Sequence, residues 1–294
     1  MTKNNCIVSQ VHIPPYDPQG GLSAEQKKKI LDLTIRHTRQ NNPSTYLVLV
    51  GHGEAPLKTT TEVCDHVIWE PGYPQDSGGT IIGMPAQYKS VSKGIEHAAS
   101  QGYDYCIKTR GDSLIDKEGI VSHMASVLED ESKKIVLTQQ TGNSLYKFGD
   151  CLMYGEMPLL QEIWNSENPP FHADGLRHTG ASFVKYFRGN HPPQDYRAGV
   201  VLAEGLDWNG LLRKYAAFRD IFNLGFVDLR WNYHAIASRG WERTSEEIMS
   251  GDFDLFHYLW GQSNGWHVFD RSGKLVSKAA ICSWIYTEEE FYKT

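Results

Sequence analysis

Short apolar runs alternate with longer amphipathic stretches through the first half of this 294-residue chain. Runs of strand length begin at Cys6 (CIVSQV), Thr45 (TYLVLV) and Tyr103 (YDYCIKT). The second run is continuously apolar, which is typical of strands buried on both faces of a parallel sheet. Between the runs, apolar residues recur at helical spacing over residues 23–43 and 85–101. This βαβα order predicts an α/β fold with a mostly parallel central sheet and helices on both faces.

Local signals indicate where further elements begin and end. Ser23 precedes the first helical stretch and Gln26 follows three residues later, which predicts a capping box, and Pro43 ends the stretch. We expect further strands at residues 66–69 and 134–138, a strand or bent loop at 148–154, and helices at 119–128, 157–164 and 175–187. Weaker patterns at residues 206–222 and 245–260 predict helical or mixed structure, so we expect a helical or irregular C-terminal half.

The strand that begins at Tyr103 ends in the most informative stretch of the chain, which carries Lys108, Arg110 and Asp112. Ligands of parallel sheets bind beyond the carboxyl ends of the strands, and strand alternation places Lys108 and Arg110 on one side. Ammonium and guanidinium groups stabilise the negative charge of a diphosphate, and a neighbouring carboxylate can hold Mg²⁺ or Mn²⁺. The alternative is an Arg110–Asp112 ion pair that only holds a turn.

Other acidic and histidine residues are weaker candidates. A carboxylate such as Asp150 at a strand end can act as the general base that deprotonates an acceptor hydroxyl, or it can bind the donor sugar, or it can simply serve a turn. Glu156 is a second choice, because it also suits the start of a helix. The remaining candidates, which a surface pair and a helix cap explain better, are Asp174 with His178 and nearby His172, Asp252-Phe253-Asp254, and His257.

Composition and missing motifs argue against several classes of protein. The net charge is −6 without a basic stripe, so we expect no nucleic acid partner. A polar start and the lack of an apolar run near ~18 residues predict no signal peptide, no transmembrane segment and a cytoplasmic protein, with peripheral membrane contact left open. Five scattered cysteines argue against a disulfide framework and a zinc site. The sequence lacks the P-loop motif, the dinucleotide-binding GxGxxG motif, the GxSxG motif of α/β-hydrolases and the HExxH motif of zinc proteases.

Residues 87–112 (QYKSVSKGIEHAASQGYDYCIKTRGD) resemble the WavE-type lipopolysaccharide-synthesis glycosyltransferases. In that family a Gln-led helix with a Gly near its middle precedes a strand that ends Lys-x-Arg-x-Asp. Residues 148–155 (FGDCLMYG) resemble the family's Asp-plus-Gly block, and the first strand, which ends at Gln10, resembles its opening. The resemblance extends over about residues 6–166.

The resemblance implies a Rossmann-like GT-A fold and transfer of a sugar from a nucleoside-diphosphate donor to an oligosaccharide, glycolipid or glycoprotein acceptor. It implies that Gln10 and His52 bind the donor together with Lys108, Arg110 and Asp112, while Asp150 is catalytic. GT-A enzymes generally hold a divalent metal on Asp-x-Asp, whose place reads Arg110-Gly111-Asp112 here. Asp112 therefore remains the candidate ligand for Mn²⁺ or Mg²⁺, and metal dependence stays open because Arg110 can neutralise the diphosphate itself.

The same reasoning divides the chain into two parts of one domain. Residues 1–166 are expected to bind the nucleotide sugar, and residues 167–294 are expected to pack on the same core and form the acceptor side. Two rival functions stay open. A sugar-nucleotide nucleotidyltransferase shares this fold logic, although the chain has no Gly-rich, Arg-bearing loop after the first strand. A non-catalytic sugar-binding protein would share the fold without the reaction.

Overall fold

A computed structural model gives the architecture of the protein. It describes residues 4–14, 23–72, 83–115, 117–137, 152–165, 175–189, 208–218, 226–228, 257–261, 265–269 and 275–278. The strands of these residues are β1 (Asn5–Ile13), β2 (Tyr46–Gly53), β3 (His66–Glu70), β4 (Tyr105–Arg110), β5 (Ser113–Ile115), β6 (Ile135–Leu137), β7 (Leu152–Glu156), β8 (Ala216–Phe218), β9 (Phe226–Asp228), β10 (His257–Gly261), β11 (Gly265–Phe269) and β12 (Leu275–Lys278). The helices are α1 (Ala24–Asn41), α2 (Lys58–Glu62), α3 (Gly83–Ser100), α4 (Ile120–Asp130), α5 (Met157–Ile163), α6 (Gly175–Arg188) and α7 (Trp208–Tyr215).

Seven of these strands form one mixed sheet in the order β3-β2-β1-β4-β7-β6-β8. The first four strands of this order run parallel, β7 runs antiparallel to both of its neighbours, and β6 pairs with β8 in parallel. The parallel pairs require crossover connections, and helices supply them in the first half of the chain. The predicted α/β class with a mostly parallel, Rossmann-like sheet is confirmed.

Alternation along the strands divides the core into two layers. Cys6, Val8, Val48 and Val50 face one layer with α3 and α5, and the residues between them face the other layer with α1 and α4. Gly94 lies where α3 crosses the sheet, and a Cβ there would lie 2.7 Å from side-chain carbons of both Val8 and Val50. The helix approaches the sheet this closely because residue 94 carries no side chain.

Several sequence predictions are confirmed in detail. Ser23 and Gln26 form both hydrogen bonds of the predicted capping box, and α1 ends at Asn41, two residues before Pro43. The uncertain segment at residues 148–154 contributes β7, which begins at Leu152. Within residues 206–222 the structure describes 208–218, which are mixed as expected, because α7 is followed directly by β8.

The C-terminal region differs from the prediction. Helical or mixed structure was expected at 245–260, where residues 245–256 lie outside the described residues. His257–Gly261 forms β10 of a three-stranded antiparallel sheet with β11 and β12, which the expected helical or irregular C-terminal half did not include. A second difference is β5, which follows the turn after β4 and pairs with β9 more than a hundred residues later in the chain. Both differences arise from strand pairings between segments whose partners cannot be read from local spacing.

Candidate active site

Polar residues occupy the carboxyl ends of the parallel strands, on the face covered by α3. Gln10 is directly beside Arg110 of β4, and His12 is directly beside His52 of β2. His52 in turn pairs with Glu70, the last residue of β3. Because carboxyl ends of adjacent parallel strands meet at one edge, residues that are far apart in sequence form one polar row.

Arg110 and Asp112 form a two-pronged ion pair at this edge. The Arg110 Nε donates to Asp112 Oδ1 over 2.9 Å and its Nη2 donates to Oδ2 over 2.8 Å. The two side chains are 21% and 16% exposed, so both reach the surface of the edge. The Arg110–Asp112 ion pair that the sequence analysis gave as the alternative is therefore present. The ion pair holds the guanidinium plane in one orientation. The pair uses two of the five N–H donors of the guanidinium.

Gly111 lets this turn pack tightly against the sheet and α1. Its N–H donates to the Gln10 carbonyl over 2.7 Å. A Cβ at this position would lie 2.6 Å from Leu31 Cδ1 and 3.0 Å from Val11 Cβ. The small residue between Arg110 and Asp112 is thus required by packing, and it keeps the ion pair against the end of β1.

His12 is an additional site residue that the sequence reasoning missed. Its ring stacks on His52 with 5.5 Å between centroids, and the Gln10 amide nitrogen lies 2.8 Å from His12 Nε2. Burial, reinforced by His52 and Arg110, lowers the pKa of His12 from 6.5 to about 3. The imidazole is therefore neutral at physiological pH. The signal that could have found it is strand alternation, since His12 is two residues after Gln10 on the same face.

His52 and Glu70 connect this row to α3. His52 Nε2 lies 3.2 Å from the Ala86 carbonyl oxygen, and its Nδ1 lies 3.3 Å from Glu70 Oε2. Glu70 also accepts from Lys89, over 2.9 Å, and from Lys93. Burial, together with the two lysines, lowers the pKa of His52, against the opposing effect of the Ala86 carbonyl. Glu70 was also missed, and the available signal was its position directly after the strand predicted at residues 66–69.

Lys108 lies deeper than the sequence reasoning implied. It is on the same strand face as Arg110, but it is fully buried, with its Nζ 4.5 Å from the centroid of the Trp164 ring. Trp164, which follows α5, is itself fully buried and packs against Tyr88 of α3. Lys108 therefore places its side-chain nitrogen beneath the edge and does not reach its surface, because a residue from another part of the chain covers it. Gln10 and His52 are also buried.

The other sequence candidates divide into two groups. Asp150, the predicted catalytic residue, lies outside the described residues, as do Asp174, His172 and the Asp252–Asp254 pair, while His178 and His257 lie in a described helix and strand without described side chains. Glu156 is wrongly placed for the site. It pairs with Tyr105 at the amino end of β4, because β7 is antiparallel, and its carboxylate accepts from Lys134 over 2.6 Å.

The described residues at this edge do not by themselves fit a divalent cation. No group of three or more His, Cys, Asp or Glu among them is arranged to hold a metal ion. Both Asp112 oxygens accept hydrogen bonds from Arg110, so the one predicted ligand is already neutralised by a fixed cation.

Comparisons with known proteins add three structural neighbours. No family model and no curated protein matches the sequence. A protein of Desulfovibrio desulfuricans assigned to the nucleotide-diphospho-sugar transferases is similar at 12% identity and a TM-score of 0.38, with 74% of this chain and 100% of that chain covered. A Leptospira borgpetersenii cytidylyltransferase is similar at 12% identity and a TM-score of 0.35, with 64% of this chain and 72% of that chain covered. A glycosyltransferase involved in glycosylation of the PBCV-1 major capsid is similar at 10% identity and a TM-score of 0.38, with 74% of this chain and 82% of that chain covered. Identities and TM-scores this low assign no function to this chain, so its function is inferred from the residues of the site.

Proposed function

We propose that the protein transfers a sugar from a nucleoside-diphosphate donor to a glycan acceptor. The observation that carries this proposal is the Arg110 guanidinium, oriented by Asp112 at the carboxyl edge of a central parallel strand. Ligands of such sheets bind at this edge, and a fixed guanidinium suits phosphate oxygens in geometry and charge. Because Asp112 orients the guanidinium through two hydrogen bonds, little conformational entropy would be lost when a diphosphate binds.

The reaction would break the bond between the sugar's anomeric carbon and the diphosphate, and a new bond would form to an acceptor oxygen. Negative charge develops on the departing nucleoside diphosphate, where Arg110 can stabilise it. The buried Lys108 lies two residues earlier on β4 and adds positive potential from beneath. Of Gln10, His12 and His52, the half-buried His12 would lie nearest the nucleotide side of the donor, with the buried Gln10 and His52 supporting it.

The acceptor hydroxyl must lose a proton, and Asp150 is the proposed general base. In sequence it lies two residues before Leu152, which pairs with Thr109 at the carboxyl end of β4. This connectivity supports the assignment of the base to the segment that enters β7. Glu156, at the other end of that strand, is not a candidate.

The finer parts of the proposal are the WavE-type family, polysaccharide biosynthesis and the acceptor class, which is an oligosaccharide, a glycolipid or a glycoprotein. They rest on the sequence resemblance over residues 87–112 and 148–155. Among the described helices, none is both long enough and apolar enough to cross a membrane.

The first test is binding of UDP, GDP, CMP and dTDP, with and without Mn²⁺, measured as a thermal shift. We expect one nucleotide to stabilise the wild type, and Arg110→Gln to weaken that nucleotide's binding by about 10- to 100-fold, as loss of a charge-assisted contact predicts. Arg36→Gln is the matched control, because it removes an arginine paired with Asp32 on the exposed face of α1. Equal loss in both variants, or none in either, would contradict the proposed site.

A turnover assay then separates the rival reactions. Glycosyl transfer releases nucleoside diphosphate from a nucleotide sugar, whereas sugar-nucleotide synthesis releases pyrophosphate. We expect nucleoside diphosphate, with turnover lowered by about 100-fold or more in Asp150→Ala, as is typical of a lost general base. Wild-type turnover in a folded Asp150→Ala variant would remove Asp150 from the mechanism. Nucleotide binding without turnover on any donor and acceptor would favour the sugar-binding alternative.

A further inference from the structure

The start of α1 lies beside the carboxyl edge that carries Arg110 and Asp112. Leu31 of α1 packs on the turn between these two residues, where a Cβ at Gly111 would lie 2.6 Å from Leu31 Cδ1. Lys27 lies one helical turn before Leu31 on the same face of α1. An α-helix advances about 1.5 Å per residue and its side chains tilt toward its amino end, so Lys27 extends past Leu31 toward the outside of the edge.

The charge of Lys27 acts on the same ring as the charge of Arg110. Burial is the largest cause of the low pKa of His12, followed by the neighbouring His52. The charges of Arg110 and Lys27 lower this pKa further, whereas the charge of Asp112 raises it. Two cationic side chains and one anionic side chain therefore lie close enough to influence one imidazole, although they come from α1 and from the end of β4.

The two lysines that follow Lys27 have different surroundings. Lys28 pairs over 2.9 Å with Glu54, the residue directly after β2, and the Lys28 side chain is only 18% exposed. This ion pair fastens the start of α1 to the carboxyl edge and so fixes the position of Lys27. Lys29 is two residues beyond Lys27, about 200° further round the helix, and therefore faces away from Arg110.

The Asp112 carboxylate is poorly arranged to bind a divalent cation. Its Oδ1 and Oδ2 accept from Arg110 over 2.9 Å and 2.8 Å, and the Ser113 hydroxyl donates to Oδ1 over 3.4 Å. A divalent cation on this carboxylate would have to displace the guanidinium or lie close to it, where like charges repel. The side chains described at this edge therefore favour binding a diphosphate through cations of the protein itself.

We propose that Lys27 and Arg110 together bind the donor's diphosphate in place of a divalent cation. The inference rests on the proposed transferase function and adds to it a binding residue of α1 and donor binding without metal. The planar guanidinium of Arg110 suits one phosphate in a fixed orientation, and the flexible ammonium of Lys27 can follow the other. Arg110 shares its charge with Asp112, so a second cation is needed to compensate two phosphates. Loss of Lys27 should therefore weaken the binding of diphosphates more than that of monophosphates.

The test is calorimetric titration of the full-length protein with UDP, GDP and dTDP and with their monophosphates, in EDTA and in Mn²⁺. We expect one diphosphate to bind the wild type in EDTA with an affinity within about twofold of that in Mn²⁺. Lys27→Gln should weaken this binding about tenfold and the binding of the monophosphate by less than about threefold. Lys29→Gln is the matched control, because it removes a lysine from the other side of the same helix, and it should leave both affinities unchanged. Lys27→Arg should retain the preference for the diphosphate, because it retains the charge.

Three results would overturn the inference and leave the transferase proposal standing. The first is diphosphate binding that requires Mn²⁺, and the second is equal diphosphate affinity in Lys27→Gln and Lys29→Gln. The third is equal weakening of diphosphate and monophosphate binding by Lys27→Gln, which would place Lys27 away from the second phosphate. If the wild type binds no diphosphate in either condition, the transferase proposal fails and this inference fails with it.

Discussion

Single residues at the carboxyl edge are governed by burial as much as by charge. Burial, then the neighbouring His52 and Arg110, lower the pKa of His12 and so favour its neutral form, whose Nε2 accepts from the Gln10 amide. Arg110 keeps its charge at the same edge because Asp112 compensates it. Neutral histidines therefore lie beside the Arg110–Asp112 ion pair, with lysines paired to Glu70 or buried beneath. This arrangement suits a ligand whose negative charge is concentrated in its phosphates.

The first prediction concerns the pH dependence of stability. The pKa of His12 is about 3 in the native protein and 6.5 in a model peptide, so the unfolded chain binds the proton over this interval and the native protein does not. The contribution of neutral His12 to the free energy of unfolding is therefore complete above about pH 6.5, and it decreases as the pH is lowered toward 3. We expect His12→Gln to reduce the slope of unfolding free energy against pH by about 1.4 kcal/mol per pH unit between about pH 6 and pH 5.

Urea unfolding at several pH values measures that slope. Loss of packing at residue 12 would lower the unfolding free energy equally at every pH and leave the slope unchanged. The slope therefore reports the protonation of His12 and not its contacts. Parallel curves for the wild type and His12→Gln would show that His12 titrates normally in the native protein.

At the scale of elements, the close approach of α3 to the sheet positions the site. α3 carries Ala86, Lys89 and Lys93, which contact His52 and Glu70 across the ends of β2 and β3. Gly94 allows this approach, since α3 crosses β1 and β2 at that residue. The sequence resemblance included a Gly near the middle of this helix, and packing gives the physical reason for it.

We predict that Gly94→Ala destabilises the protein by about 1–2 kcal/mol. Alanine gains up to about 1 kcal/mol in helix propensity, but its Cβ would lie 2.7 Å from both Val8 and Val50, and overpacking costs about 1–3 kcal/mol. The two valines are branched and buried, so they yield little. Glu96→Ala, at an exposed position of the same helix, should change stability by less than about 0.5 kcal/mol. A Gly94→Ala variant with a raised urea midpoint would contradict the packing argument.

Local patterns predicted the longer helices and the main-sheet strands of the first half and the helix α6, but not the strands β9 to β12. The capping box at Ser23 and the strand predicted from the continuous apolar run of β2 depend only on residues close in sequence. Both predictions are confirmed. The pairing of β5 with β9 and the antiparallel sheet of β10 depend on distant partners. A short apolar run such as residues 257–261 does not distinguish strand from helix until its partner is known.

The site was predictable to a similar degree. Arg110 and Asp112 lie at the carboxyl edge as expected, because the end of an interior strand is marked by its own sequence. The burial of Lys108 was not predictable, since it results from Trp164 more than fifty residues later in the chain. His12 and Glu70 required the strand register, which alternation alone suggested but did not fix.

For the whole molecule, the main sheet extends across both halves of the chain. β8 closes the sheet beside β6, and Ala216 and Ala217 within it are fully buried. The Tyr215 carbonyl accepts from the Lys134 N–H over 2.8 Å, and the Tyr215 ring stacks on Phe187 of α6. Residues after 166 therefore contribute to the same core as residues before it.

We therefore predict that a fragment of residues 1–166 does not fold by itself. It would lack β8, α6 and α7, which would expose the edge of β6 and the Trp164 side of the core to water.

In the intact chain, Ala217→Asp should destabilise by about 3 kcal/mol or more, because it buries an unpaired carboxylate beside Val136, whereas exposed Lys214→Asp should have little effect. Thermal unfolding by circular dichroism measures all three proteins. A cooperative transition in the fragment, with nucleotide binding retained, would mean that the first half is an independent domain and that the second half only attaches to it.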